Sequence, residues 1–428
     1  MVAIARVLPA IACCLWALFA ARPAPAPAPV AAGTAPLVVR EAPPGAPNTI
    51  QWLVVSPRDP RTIYVGRYAC PMVFLRSRDA GHTWRSLLDA AQLCVSGDQG
   101  PGAGGNTLTG PLLIAGDGRT LFLDEEYNEG SADYLAYLLL SSADGGDRWS
   151  IPEHGEDYGS GTHYAALGPP APWPHGPQFL YTMSEYHPPF TPGSWVSYGG
   201  INASSNGTTA GGHIALGNLA GAPGSCCFNA PVPDAQDPTI VYVNLQNNDV
   251  PGSPPVGAVR SEHGRPWAVV ARPRARPSLR TFSVATDPHE ADLLVGRTQD
   301  PSVPPDRVYL SADHGRTWRP AACPGVLRGS CPAATTDDAF GGGASYAFVG
   351  DGLYRFHGAG PATDRLPLSA RLPVPSRAIA TVASGPRPGD PVYLTLKGPT
   401  GGGAPVFYRT LDAGRTWQRV AVPNPPLH

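Results

Sequence analysis

Lysine is almost missing from this sequence: of 31 basic residues only Lys397 is lysine, and the rest are arginine. The bias reads as coding preference and not as function. Charge of either sign is scarce, at 15% of 428 residues, and the formal net charge is −2. No basic stripe interleaved with aromatic residues occurs, so nucleic acid is not an expected partner. Long apolar runs are also lacking. Ile11–Ala21 (IACCLWALFAA) has eleven residues, too short to span a bilayer, and no other segment approaches eighteen. Turn formers take the place of helix formers. The 50 Gly and 52 Pro make up roughly 24% of the chain, which argues against helical bundles and coiled coils. The 42% hydrophobic content argues against wholesale disorder.

The short apolar run follows Arg6 and ends in the small residues Ala20 and Ala21, so residues 1–21 read as a signal peptide. A lipid-bearing Cys13 and an uncleaved anchor are the alternatives. The Pro/Ala-rich stretch 22–36 reads as a stiff spacer, and 37–428 as one domain, secreted or extracytoplasmic, with no membrane span in the mature chain. Export places Cys70, Cys94, Cys226, Cys227, Cys323 and Cys331 in an oxidising compartment. Cys323–Cys331 would close a short loop. Cys70–Cys94 would join two loops on one face of the arrangement below, and Cys226–Cys227 would be vicinal or stay reduced. Zinc is the weaker reading, because no C-x-x-C pair exists.

The octet S/T-x-D-x-G-x-T-W occurs complete three times, as Ser77–Trp84, Ser311–Trp318 and Thr410–Trp417. A fourth copy, Ser142–Trp149, changes only the Thr, and a fifth, Arg260–Trp267, keeps an acid, the Gly and the Trp. Trp84 to Trp149 is 65 residues, Trp149 to Trp267 is 118, Trp267 to Trp318 is 51 and Trp318 to Trp417 is 99. The two long gaps are each near double the repeat, which hides degenerate copies near residues 208 and 368 and makes seven units. Asp-Pro turns at Asp59, Asp237, Asp287 and Asp390 precede β-rich runs. Four short strands per unit, seven times around, predict an all-β fold: a seven-bladed β-propeller of four-stranded antiparallel blades, with six blades as the alternative. A strand at Leu37–Arg40 is expected to pair with the last blade and close the ring.

The octet suits a hairpin. Its Asp (Asp79, Asp144, Asp313, Asp412) accepts backbone N–H groups across the turn. Its Gly (Gly81, Gly146, Gly315, Gly414) takes the positive-φ position, and its Trp (Trp84, Trp149, Trp318, Trp417) covers the apolar side. These residues are structural, not catalytic. The octets resemble the Asp-box (BNR repeat) of the sialidase-like propeller superfamily, and the repeats are similar to BNR/YVTN-type propellers of exported bacterial proteins, over roughly residues 45–423. A sialidase of that superfamily would bring six blades, an Arg-Ile-Pro motif, three carboxylate-clamping Arg, a Tyr–Glu pair and an Asp acid/base. This sequence has no Arg-Ile-Pro, and Thr49–Val55 offers no Arg. The resemblance implies the fold and carries over no catalytic residue.

Blade geometry puts the octets and Asp-Pro turns on one face and the remaining loops on the other, where superfamily members usually bind ligands. Those loops are acidic and aromatic: Asp124, Glu125, Glu126, Tyr127 and Glu129, then Glu185, Tyr186 and His187. Rings stack on the apolar face of a sugar while acids accept hydroxyl hydrogen bonds; the same oxygens would suit Ca²⁺. No metal motif and no G-x-S-x-G elbow occurs. The expectation is a non-catalytic propeller that binds a glycan or an extracellular protein and needs no cofactor. The alternatives are a divergent sialidase-like glycoside hydrolase, for which Arg260, Arg297 and Arg355 are the arginines to test, and an assembly or stability factor for an exported complex.

Overall fold

The computed structural model describes residues 50–67, 73–87, 107–108, 112–128, 135–154, 161–167, 180–186, 198–204, 214–218, 228–234, 237, 239–245, 258–262, 267–270, 282–286, 294–298, 308–321, 346–349, 352–356, 363–365, 372–375, 378–385, 389–396 and 405–423. All belong to the unit Pro36–His428. The signal, spacer and Leu37–Arg40 expectations lie outside them.

The regular elements among the described residues are strands, built from short β-branched and aromatic runs between Gly, Pro and Asp turns. They form seven antiparallel sheets. The first runs Ile50–Val55, Ile63–Arg67, Val73–Ser77 and Arg85–Ser86. In the second, Thr107–Leu108 and Leu113–Ile114 both pair with Leu121–Asn128, followed by Leu135–Ser142 and Ser150–His154. The third is Gly161–Leu167, Leu180–Tyr186, Tyr198–Ser204 and Ile214–Asn218. The fourth is Phe228–Pro233, Ile240–Leu245, Ala258–Glu262 and Ala268–Val269. The fifth is Phe282–Thr286, Leu294–Thr298, Val308–Ser311 and Arg319–Pro320. The sixth holds Tyr346–Val349, Gly352–Phe356 and Thr363–Arg365. The seventh is Ile379–Ser384, Val392–Leu396, Val406–Thr410 and Gln418–Ala421.

Apart from Thr107–Leu108 and Leu113–Ile114, which both pair with the same strand, strands adjacent in sequence are adjacent in each sheet, so each is a meander with two distinct ends. First-to-second and third-to-fourth connections leave at the octet end. Second-to-third connections, and those to the next sheet, leave at the far end. The third strands of the third and sixth sheets end at Ser204 and Arg365, just before the expected degenerate octets.

The core lies between sheets. Trp52, Tyr64 and Phe74 of the first meet Leu112, Leu121 and Leu140 of the second. Phe122 joins Leu180 of the third, and Tyr242 of the fourth clusters with Val284 and Leu294 of the fifth. Leu353 of the sixth packs on Val382 and Leu394 of the seventh. Tyr393 and Phe407 of the seventh in turn bury Leu53, Ile63 and Leu75 of the first. Gly66 shows how close the fit is. A Cβ there would stand 2.2 Å from Cε2 of Trp52, so only glycine lets this indole lie flat against the second strand.

Candidate functional site

The octets fold alike. Ser77 Oγ–H donates to Asp79 Oδ1 at 2.8 Å and accepts from Gly81 N–H at 2.7 Å. Asp79 Oδ1 also accepts from Thr83 N–H at 2.8 Å, and Oδ2 from the Thr83 hydroxyl at 2.6 Å. Ser311, Asp313, Gly315 and Thr317 repeat this pattern, as do Thr410, Asp412, Gly414 and Thr416. In the second sheet Arg148 replaces the Thr and supplies only its amide, 2.9 Å from Asp144 Oδ1. These donors set the carboxyls' acidity. Burial opposes ionisation of Asp79, yet the Thr83 hydroxyl and amide, the Ser77 hydroxyl and the His82 amide together hold it well below the usual carboxylate range. At Asp412 the Thr416 hydroxyl leads, followed by the Thr416 amide and Thr410 hydroxyl, and lowers the carboxyl to about 2.

The octet Gly has positive φ as expected, but so does the residue before it: Ala80 at 59°, Gly145 at 79°, His314 at 56° and Ala413 at 56°. The octet Trp also does more than cover its own hairpin. Trp84 meets Phe407 of the seventh sheet edge-on, with centroids 6.2 Å apart, and Trp149 meets Phe74 of the first at 5.8 Å. Each ring wedges against the preceding sheet.

Ladder register corrects the fifth copy of the motif. The residue after the octet Trp pairs with the residue before its Ser/Thr: Arg85 with Arg76, Ser150 with Ser141, Arg319 with Leu310, Gln418 with Arg409. In the fourth sheet Ala268 pairs with Arg260. Ser261, not Arg260, therefore holds the first octet place, and the turn to Trp267 is one residue shorter. Arg260 is at the octet end, donating to His314 O at 2.7 Å and paired with Glu262 at 3.4 Å. It is committed there and is not an arginine aimed at the far end. Arg297 and Arg355 lie in the second strands of the fifth and sixth sheets, placed by backbone alone.

The acidic stretch is also corrected. Asp124, Glu125, Glu126 and Tyr127 are not loop residues: the second strand continues to Asn128, with Asp124 opposite Leu139, Glu125 opposite Leu138 and Glu126 opposite Tyr137. Glu185 and Tyr186 likewise close the strand Leu180–Tyr186, opposite Gly199 and Tyr198. Both stretches run into second-to-third connections, hence to the far end of two neighbouring sheets. Glu129, His187 and the cysteines Cys70, Cys94, Cys226, Cys227, Cys323 and Cys331 lie outside the described residues. Among the described residues no group of three or more His, Cys, Asp or Glu comes together as a metal site, and no helix is long and apolar enough to cross a membrane.

A buried polar cluster at the junction of the fourth and fifth sheets was not foreseen. Tyr242 O–H donates to Asp234 Oδ2 at 2.7 Å, and His314 Nδ1 lies 2.9 Å from the same oxygen. Burial foremost, with the Asp234 charge and hydrogen bond behind it, pushes the Tyr242 hydroxyl's acidity far above the ordinary phenol value, so it stays a donor. A sequence signal for these contacts existed. Wherever Arg precedes the octet, a Tyr stands opposite it on the second strand: Tyr64 with Arg76, Tyr242 with Arg260, Tyr393 with Arg409.

No protein-family model and no curated protein sequence matches the chain. Solved structures do. Prolyl oligopeptidase B from Galerina marginata is 12% identical with a TM-score of 0.51, over 87% of this chain and 51% of that one. The GH74 enzyme of Niastella koreensis is 14% identical (TM-score 0.42, 88% and 60%), and YCF48 from Cyanidioschyzon merolae is 14% identical (0.38, 90% and 88%). The chain thus spans about three fifths of the GH74 enzyme's length. At these identities the likeness concerns the fold alone.

Proposed function

We propose that the chain is an exported propeller of seven four-stranded blades with Asp-box turns, and that it binds a glycan or an extracellular protein at the far end of its sheets. The fold part rests on seven consecutive meanders, each buried against a neighbour. Export rests on the apolar run in residues 1–21. One observation carries the binding reading: adjacent sheets bring Glu125, Glu126 and Tyr127, and Glu185 and Tyr186, to the same end of their second strands. Acids there accept hydroxyl or amide hydrogen bonds, and aromatic rings offer apolar faces to a sugar or side chain. Such a site needs no cofactor, and a carboxylate-bound Ca²⁺ is compatible with it.

The test is glycan-array and secretome pull-down binding with the full chain, wild type against a Glu125→Ala, Glu126→Ala, Tyr186→Ala triple variant. Binding should fall at least about tenfold at an unchanged melting temperature. Equal binding by the two proteins would refute the site. Turnover of an aryl-glycoside panel, sialosides included, would replace the binding reading with a hydrolase.

A further inference from the structure

The junction between the last and first sheets repeats one bond of the internal junctions. Arg76 of the first sheet donates through Nη1 to Gly145 O of the second at 2.6 Å, and through Nη2 to Asp147 at 3.1 Å. Arg260 of the fourth donates to His314 O of the fifth at 2.7 Å. Arg409 of the seventh donates to Ala80 O of the first. The acceptor is each time the carbonyl of the left-handed residue just before the octet Gly. That Gly in turn faces an apolar side chain following the preceding sheet's fourth strand or within it: Gly146 against Leu87, Gly315 against Val270, Gly81 against Val420. The indole wedges follow the same rule.

We infer that the arginine preceding an octet is an inter-sheet clasp, and that Arg409 uses it to hold the seventh sheet to the first, so that the succession of sheets closes on itself through side chains. The physical reason lies in what a linear stack would require. Stacked repeats need capping units at both ends. Here the seventh sheet stands to the first as the first stands to the second, so each caps the other. All four strands of the seventh sheet come from Ile379–Ala421, and all four of the first from Ile50–Ser86. Among the described residues, side chains do the joining. Arg409 is only 4% exposed, and its other partners are Gln418 Oε1 at 3.0 and 3.2 Å and His82, with Nδ1 at 3.0 Å and Nε2 at 2.8 Å. His82 Nδ1 also lies 2.8 Å from Asp79 O, so the ring bridges Arg409 and the octet backbone of the first sheet. Tyr393 adds a second tie, its hydroxyl donating to Pro60 O at 2.8 Å. A buried cation with no carboxylate at ion-pair distance among the described residues is costly, and this one is kept where the last and first sheets meet. The inference does not depend on any ligand.

Hydrogen exchange on the full chain tests it. Arg409→Met should speed amide exchange about tenfold in Val406–Thr410 and in residues 79–87, leaving Ala258–Glu262 and Val308–Ser311 at wild-type rates. Arg260→Met should do the reverse. If Arg409→Met is insoluble, Arg409→Lys serves: it keeps the charge but cannot span Ala80 O, Gln418 and His82 together, and should give the same pattern at a few-fold. Unchanged exchange in residues 79–87, or a rise spread evenly over all seven sheets, would overturn the clasp.

Discussion

The two ends of the sheets use their polar residues in opposite ways. At the octet end, Ser, Asp, Thr and Arg are consumed by the hairpin itself or by the next sheet, in hydrogen bonds of 2.6–3.1 Å repeated from copy to copy. At the far end, acids and aromatics of the second strands belong to no repeated pattern: the second sheet has Asp124 and Glu125 where the first has Gly66 and Arg67. Repetition marks what the fold requires, and departure from it marks what an individual sheet contributes. The octet end is thus the scaffold, and the far end is where side chains can vary without cost to folding.

The largest effect expected from this division is at the octet glycine. Gly81 has φ 93°, and a Cβ there would stand 3.0 Å from both Phe407 and Val420. Gly81→Val combines backbone strain with overpacking at the seventh–first junction and should cost about 3 kcal/mol in urea unfolding. The matched far-end change, Glu125→Gln with Glu126→Gln, should stay within about 0.5 kcal/mol. Equal losses from the two would erase the distinction between scaffold and site.

Much of this scaffold was legible beforehand, because an octet punctuated by Asp, Gly and Trp is a strong local signal repeated at near-constant spacing. The turn's second left-handed residue was not, since Ala80, His314 and Ala413 give no hint of positive φ. At the far end the second strand of the second sheet runs on to Asn128, beyond what its sequence suggests. Asp-Glu-Glu-Tyr-Asn has poor strand propensity, but its ladder partner Leu135–Ser142 is LAYLLLSS, and pairing with that apolar strand outweighs local preference. The clasps needed two repeats to be compared at once. Arg before the octet and Tyr opposite it are each unremarkable, and only their joint recurrence in the first, fourth and seventh sheets marks the junction.

Acid should separate the ends next. The octet carboxyls are all shifted down: in Asp79, Asp144 and Asp313 the turn's donors overcome the opposing effect of burial, while in Asp412 the Thr416 hydroxyl is the main cause. A depressed folded value means that the unfolded chain binds protons first. The stability these groups supply is therefore complete above the unfolded Asp value near 4 and is lost as pH falls through the folded values, about 2 for Asp412. Urea midpoints measured from pH 5 to pH 2 should drop mainly below pH 4, and Asp412→Asn should reduce that drop. A midpoint independent of pH below 4 would mean that the turn donors are as well satisfied by water.

The smallest expected effect tests whether the octet itself can be improved. Three copies place a Thr hydroxyl 2.6 Å from the second carboxylate oxygen, at Thr83, Thr317 and Thr416. The second sheet has Arg148 there, whose amide reaches Asp144 Oδ1 while its charge also helps to lower that carboxyl. Arg148→Thr exchanges a screened surface charge for a short hydroxyl–carboxylate bond. Exposed charge pairs contribute little, and a hydrogen bond to a charged acceptor somewhat more. The variant should gain about 0.5 kcal/mol, read as a small rise in urea midpoint. A loss instead would show that Arg148 is retained for its charge, and the octet end would then carry variation of its own.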